Sequence, residues 1–412
     1  MRKMAKGVAT AVNCCLLAVL ILTTYIQKQL PDRYSVVAGE EITFTCPYPV
    51  QMVRSQAQGE IQAAYSSAGE SYQMDLKLLG TIPVKTVEVQ VVDRKLVTVS
   101  GAPFGIKMFT DGLMVVGMSD IPTTGGRLNP ARTAGVEVGD ILKTFNETPL
   151  STNEQLAELM QENAGAPIQL EVKRGNSTFQ AQVEPVRSAG DEQYRLGVWV
   201  RDSSAGIGTM TYYDQNSGIF TGLGHAVCDV DTGDIMPLQS GEVVPARITG
   251  CKRGEAGSPG ELKGRFTEEP PLGSLSANTS TGVYGLLRNR GIYLGEELPL
   301  AMKHEVETGR AYIYTTTEGS RPKKYEIEIE KLVMSEEEKG QNMVIHVTDP
   351  ALLEKTGGIL QGMSGSPIVQ NGMLVGSVTH VFVKDPTRGF GIFAENIQDN
   401  AKNVSFYQKN SA

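Results

Sequence analysis

From residue 189 to 405 the apolar side chains come in short runs: YRLGVWV, IGTMTYY, IFTGLG, EIEIEKLV, NMVIHV, PIVQ and MLVGSVTHVFV, each cut off by Gly, Asn, Asp or Pro. Runs of this length between turn residues fit strands and are too short for packing helices. A segment patterned this way folds as a β-barrel or a pair of barrels. Composition supports this, since 45 glycines and 20 prolines with 6% aromatics supply tight turns rather than the wide apolar faces of a helix bundle. A chain of 412 residues holds more than one unit. Its net charge is −8, with no stretch of basic residues to neutralise a run of phosphates, which excludes nucleic acid as a partner.

Residues 7–26, GVATAVNCCLLAVLILTTYI, carry no charge. At about 1.5 Å per residue, such a helix crosses a hydrocarbon core of ~30 Å. Arg2, Lys3 and Lys6 precede it, and Lys28 and Arg33, partly offset by Asp32, follow, which places the N-terminus in the cytoplasm and the rest outside. No small-x-small cleavage site follows the run, so the expected form is an uncleaved anchor rather than a signal peptide. Apart from Asn13 the run has no polar face, which argues against a core helix. Cys14 and Cys15 lie inside it, leaving Cys46, Cys228 and Cys251 for the exported part, an odd number that rules out a full disulfide framework. Cys228 and Cys251 can pair or remain thiols.

The expected organisation is a membrane anchor (1–29), a β-rich stalk or small domain (30–103), a PDZ-like α+β unit (104–188) and a β-barrel domain (189–412). In VKTVEVQVVDRKLVTVS, alternating valines flank Asp93-Arg94-Lys95, which predicts a hairpin. In the third unit, Phe104–Met108 opens as a strand, Ser151-x-x-Glu154 has capping-box spacing before a helix ending near Gly165, and Gly175-Asn176 turns a hairpin. The stretch Pro130-Ala131-x-x-Ala134-Gly135-Val136-x-x-Gly139-Asp140-Ile141-Leu142 resembles a bacterial PDZ domain. That resemblance implies peptide capture by strand addition, with Phe104, Gly105 and Ile106 as the peptide-binding backbone and the 151–163 helix shaping a specificity pocket. The other reading is a small domain that packs against its neighbour and binds nothing.

One hexapeptide carries chemistry: Gly362-Met363-Ser364-Gly365-Ser366-Pro367, followed by a strand, Asn371-Gly372 and a second strand. A serine nucleophile needs its hydroxyl in a cleft and backbone donors aimed at the developing oxyanion, here the N–H groups of Gly362 and Ser364. Pro367 disfavours the strand-serine-helix elbow of α/β-hydrolases, and Gly-x-Ser-Gly-x-Pro before a hairpin resembles the nucleophile loop of chymotrypsin-like proteases. His225, at the end of IFTGLGH, is the candidate base, with His346 and His380 competing. Asp349 precedes Ser364 and can orient the imidazole, but Asp349-Pro350 is equally a helix cap, and Asp229, Asp231 and Asp234 compete for the orienting role. This scheme needs no metal or organic cofactor.

The N-terminal span, the PDZ-like unit, GLGHA, GMSGSPI and the downstream THVFVKDPTRGFGI together resemble the stage IV sporulation protein B family. The resemblance implies a membrane-anchored serine endopeptidase with a chymotrypsin-like double β-barrel, acting between the two forespore membranes. It implies a triad of His225, Asp349 and Ser364, and cleavage of itself and of a regulatory subunit that restrains a membrane-embedded metalloprotease, which triggers pro-sigma-K processing. It further implies self-recognition through the PDZ domain. The rival expectations are a general envelope PDZ-protease and a catalytically idle, membrane-tethered PDZ adaptor.

Overall fold

The computed structural model describes residues 2–40, 42, 48–54, 67–288, 295–335 and 340–411. Helix α1 (Arg2–Gln29) contains a stretch, Thr10–Gln29, long and apolar enough to cross a membrane, and little of it is buried against the protein. Only its end is tucked in, where Ile26 and the following Leu30 are 1% and 3% exposed. They pack on a four-stranded sheet made of β1 (Arg33–Val37), β2 (Val50–Arg54), β3 (Ser71–Leu78) and β4 (Ile82–Val92), in the order β1-β4-β3-β2. The alternation of β4 is what the period of a strand demands, with Val87, Val89 and Val91 buried, Glu88 half-buried and Gln90 exposed.

The hairpin expected around Asp93-Arg94-Lys95 does not form. β4 pairs with β1 and β3, whereas β5 (Leu96–Val99) leaves for another sheet, where it pairs with a strand at 212–213 and with one at 297–299. Arg94 fixes the crossing, donating to both carboxylate oxygens of Glu305 at 2.7 Å and to Glu40 at 2.6 Å. Two alternating runs joined by three polar residues look like a hairpin in sequence. Here the linker's own ion pairs send the second run elsewhere.

Strand β6 (Pro103–Met118) is shared. Its first half has Phe104, Ile106 and Met108 pointing into a barrel (0%, 4% and 1% exposed) while Lys107 and Phe109 point out. The PDZ-like unit follows it: β7 (Ile121–Thr123), β8 (Gly126–Leu128), α2 (Pro130–Thr133), β9 (Ile141–Phe145), β10 (Thr148–Pro149), α3 (Asn153–Glu162), β11 (Ile168–Arg174), β12 (Ser177–Val183), β13 (Val186–Arg187) and β14 (Tyr194–Arg195). Its core is Leu113, Leu142, Phe145, Leu156, Ile168 and their neighbours. Asn129 caps α2, its Oδ1 accepting from Arg132 N, and Pro130 opens the helix. The cap of α3 is Thr152, whose hydroxyl accepts from Gln155 N, one residue beyond the expected Ser151.

The chain then returns along β15 (Val198–Tyr213), antiparallel to β6 from Val198↔Met118 to Thr209↔Pro103. Next come β16 (Ile219–Gly222), β17 (Leu238–Lys252), β18 (Glu261–Phe266), β19 (Gly273–Thr279), β20 (Gly282–Leu287) and β21 (Glu297–Pro299). The pairings β6–β17–β19–β20–β16–β15 and back to β6 close a first six-stranded ring. A second closed barrel runs β22-β23-β24-β27-β26-β25, from β22 (Gly309–Thr315), β23 (Lys323–Leu332), β24 (Met343–Val347), β25 (Pro367–Gln370), β26 (Met373–Phe382) and β27 (Asp385–Phe393). Ile313, Ile327, Ile345, Ile368 and Phe393 fill it. Helix α4 (Pro350–Thr356) lies between β24 and β25, and α5 (Ala394–Ser411) closes the chain. The fold is therefore mainly β, two barrels with the PDZ-like unit emerging between two adjacent strands of the first.

This topology corrects the expectation for Phe104, Gly105 and Ile106. They pair with β15 on one side and β17 on the other, so they offer no free strand edge to a peptide. A Cβ on Gly105 would lie 2.6 Å from the Val244 side chain and 2.5 Å from the Phe266 ring, an interior position rather than a binding loop.

Candidate active site

His225 and Ser364 meet in one cleft of about 560 Å³ between the barrels, contributed by opposite sides. Strand β16 is buried throughout and ends at Gly222. Leu223 and Gly224 then take left-handed backbone, φ +67° and +68°, turning the chain so that His225 faces the cleft. Such a conformation in a leucine costs of order 1 kcal/mol and is held by its surroundings. A Cβ on Gly224 would stand 2.7 Å from Ser377 Oγ of the second barrel, so only glycine permits this approach.

The His225 Nδ1 donates to the backbone carbonyl of Ala226 at 2.7 Å. This bond fixes the tautomer and leaves Nε2 free to take a proton. The ring stacks on His380, centroids 4.7 Å apart and planes tilted by 32°. Burial pushes the His225 pKa down, partly offset by the Ala226 carbonyl. His380 is pushed down to about 4 by burial and by His225 facing it. Both imidazoles are thus neutral at pH 7. His380, one rival base, lines the same cleft and stacks on His225; His346, the other rival, faces Glu330 on β23 at 3.4 Å and does not line the cleft.

Ser364 sits on the loop between α4 and β25, where Asn371-Gly372 turns the following hairpin as expected (φ +51° and +74°). Its hydroxyl donates to Thr379 O at 2.6 Å. Along the loop the N–H groups of Gln361, Met363, Gly365 and Ser366 are all bonded to backbone carbonyls. Among the described residues, those of Gly362 and Ser364 have no acceptor. Gly365 is pressed against the first barrel at φ +93°, where a Cβ would fall 2.0 Å from Thr209 O and 2.4 Å from Leu223 N. Strand β15 grips the loop here: Thr209 N donates to Ser364 O at 3.2 Å, Thr209 Oγ1 to Gly362 O at 2.8 Å and Thr211 Oγ1 to Gly365 O at 2.8 Å.

Asp349 is not beside His225. Its Oδ1 accepts from Ala351 N and Leu352 N and its Oδ2 from Glu326 N, so the carboxylate is spent capping α4 and holding β23. Of its two readings, the helix cap is the one the structure contains. Two of the three carboxylates after His225, Asp229 and Asp231, are also committed. Asp229, 2% exposed, accepts from Asp231 N, Thr232 N and the guanidinium of Arg201, which reaches Asp231 as well at 2.8 Å. Burial opposes the charge of Asp229, and these partners more than offset it, leaving its pKa below the usual carboxylate range. Asp234 lies against the PDZ-like unit, 2.9 Å from where a Gly139 Cβ would sit. Cys228 and Cys251 are both free thiols.

The profile of the family described as SpoIVB peptidase S55 matches residues 192–398. The chain belongs to that family. It is a serine endopeptidase of the SpoIVB type, with a PDZ-like unit. No curated protein matches it. Among solved structures it is similar to the PDZ domain of an SdrC-like protein from Listeria monocytogenes (14% identity, 22% of this chain and 87% of that one, TM-score 0.19). It is also similar to the Rv3671c protease of M. tuberculosis in its active form (14% identity, 49% and 74%, TM-score 0.28) and to the inactive form of the Rv3671c protease (12% identity, 48% and 84%, TM-score 0.29).

Thr209, Thr211 and Arg201 carry no mark in the sequence. They stand more than 150 positions from the loop they hold, or 28 positions from Asp229, inside an ordinary strand pattern.

Proposed function

We propose that His225 and Ser364 are the catalytic pair of this SpoIVB-type peptidase. His225 Nε2 takes the proton of the Ser364 hydroxyl as Oγ attacks a peptide carbonyl. The N–H groups of Gly362 and Ser364 receive the negative charge that develops on the carbonyl oxygen. The proton then passes to the leaving amine, and water repeats the sequence to release the acyl group. The Ser364 hydroxyl must leave Thr379 O for attack to begin. The observation that carries this reading is the pair of unbonded N–H groups beside Ser364, in a loop whose other N–H groups are all bonded and in the cleft that also holds His225.

Peptide docking outside the cleft is assigned to the other edge of β15 near Trp199, beside α3. Residues 198–204 pair with β6 alone, and Trp199 is 64% exposed. The finer reading follows the family: an anchored peptidase in the space between the forespore membranes that trims itself and cleaves the regulatory subunit restraining a membrane metalloprotease, thereby triggering pro-sigma-K processing. The anchor-like α1 and the family match support it.

The test is co-production of the full chain with that regulatory subunit and metalloprotease, comparing wild type with Ser364→Ala. Wild type should fragment the subunit and itself, and the variant should leave both intact. Cleavage retained by Ser364→Ala would overturn the assignment. Broad degradation of unrelated unfolded proteins would favour the quality-control reading.

A further inference from the structure

A second cavity, of about 200 Å³, opens where the turn between β19 and β20, the connection from β23 to β24 and the start of α5 meet, and it shares no lining residue with the catalytic cleft. One wall is Lys303, only 9% exposed. Its backbone is pinned, Lys303 N donating to Glu395 Oε2 at 2.8 Å, but its Nζ makes no hydrogen bond and no ion pair with any described residue. Glu395 is a poor counter-charge. Its Oε1 accepts from Ser35 Oγ at 2.6 Å and its Oε2 from that backbone N–H, and burial pushes its pKa up, partly offset by Lys303. A buried ammonium that faces an open cavity without an acceptor is a place for an anionic group. The rest of the lining asks for the opposite charge. Asn396 Nδ2 donates to Asn342 Oδ1 at 2.9 Å and Asn400 Nδ2 to Asn396 O at 3.2 Å, which leaves the Oδ1 atoms of Asn396 and Asn400 without a donor among the described residues. Asp399 meets Lys402 through Oδ1 at 3.2 Å and keeps Oδ2 open. Met334 and Phe393, 6% and 1% exposed, add an apolar surface.

We propose that this cavity binds a small zwitterion, a free α-amino acid with an apolar side chain, its carboxylate on Lys303 Nζ and its ammonium on Asp399 and the two asparagine oxygens. A plain anion satisfies Lys303 but sets its charge against Asp399, and a plain amine does the reverse. A molecule that carries both charges suits both ends of the cavity. The volume holds about six to ten non-hydrogen atoms, which spans the smaller aliphatic amino acids. Met334 and Phe393 take the side chain. Binding here is independent of His225 and Ser364.

The test is equilibrium dialysis of radiolabelled L-valine against the detergent-solubilised full chain, with two competitors that each lack one charge: isovalerate, without the amino group, and isobutylamine, without the carboxylate. One saturable equivalent of valine should bind per chain, and either competitor should need at least about tenfold higher concentration than unlabelled valine to displace it. Lys303→Met, close in volume to the side chain it replaces, should weaken valine binding at least about tenfold. Asp399→Asn, at an exposed position that leaves the fold alone, should remove most of the preference for valine over isovalerate. An isovalerate or isobutylamine that competes as well as valine, or unchanged binding in Asp399→Asn or in a folded Lys303→Met, would overturn the inference. So would the absence of saturable binding, the result expected if Glu336, Glu337 or Glu338 of the same chain served Lys303 instead. Loss of Ser364 labelling by a fluorophosphonate bears on the catalytic reading alone.

Discussion

Among the described residues no carboxylate holds His225, the proposed base. Its Nδ1 is held by Ala226 O, and burial sets its pKa below the ordinary 6.5. A base must be neutral to accept the Ser364 proton, so activity is lost as pH falls through that lowered pKa, not through 6.5. The acid limb of kcat/KM for a peptide substrate should therefore lie below pH 6.5, and a limb at or above it would contradict the burial of the ring. Asp349 gives the complementary prediction. As the cap of α4 it is worth about 1 kcal/mol to folding. Asp349→Ala should lower the free energy of unfolding by that amount and leave the rate of Ser364 labelling by a fluorophosphonate within a few-fold of wild type. A loss of several orders of magnitude, with the fold intact, would restore the orienting role. The sequence placed Asp349 correctly in front of both readings. Choosing between them needed the position of Glu326 N and of His225, which lie 23 and 124 residues away along the chain.

Among elements, β15 does the most. One strand of 16 residues closes the first barrel against β6, holds the serine loop through Thr209 and Thr211, and carries Arg201 to the loop that follows His225. Asp229 organises that loop by accepting from Asp231 N and Thr232 N, and Arg201 neutralises it. Removing one partner of a buried ion pair costs up to about 3–5 kcal/mol, and the 30% exposure of Arg201 reduces this. Arg201→Gln is expected to lower kcat/KM about tenfold through a disordered His225 loop. Adding Asp229→Asn should recover part of the loss, as measured in a double-mutant cycle, and strictly additive effects would show that the pair is not coupled. The strand itself was legible as two apolar runs, YRLGVWV and IGTMTYY. Their fusion across Arg201–Gly206 was not, because strand length here is set by pairing with β6 rather than by local propensity.

At the scale of the whole molecule, α1 stands largely bare of protein contact along its apolar stretch, whereas the described residues after Leu30 build sheets and barrels with buried cores. A bilayer would supply the missing apolar surroundings. The full chain made in a bacterial cell should stay in the membrane pellet after alkaline carbonate washing, with its barrels accessible to protease added from the outer face. Extraction into the carbonate supernatant would mean that α1 is cleaved or peripheral.

The sequence alone determined the apolar N-terminal helix, the barrel class, the PDZ-like turn of helix at 130–142, the two-residue hairpin at Asn371-Gly372 and the motifs that hold His225 and Ser364. Each is a local pattern, written in consecutive residues by hydrophobic period, turn chemistry or motif. Tertiary structure decided that the Asp93-Arg94-Lys95 runs part company, that Phe104–Ile106 belongs to a barrel interior, that Asp349 caps a helix, and that threonines of the first barrel hold the Ser364 loop of the second. Those outcomes depend on which strand edges meet and which buried donors need acceptors, and the partners come from positions tens to hundreds of residues apart.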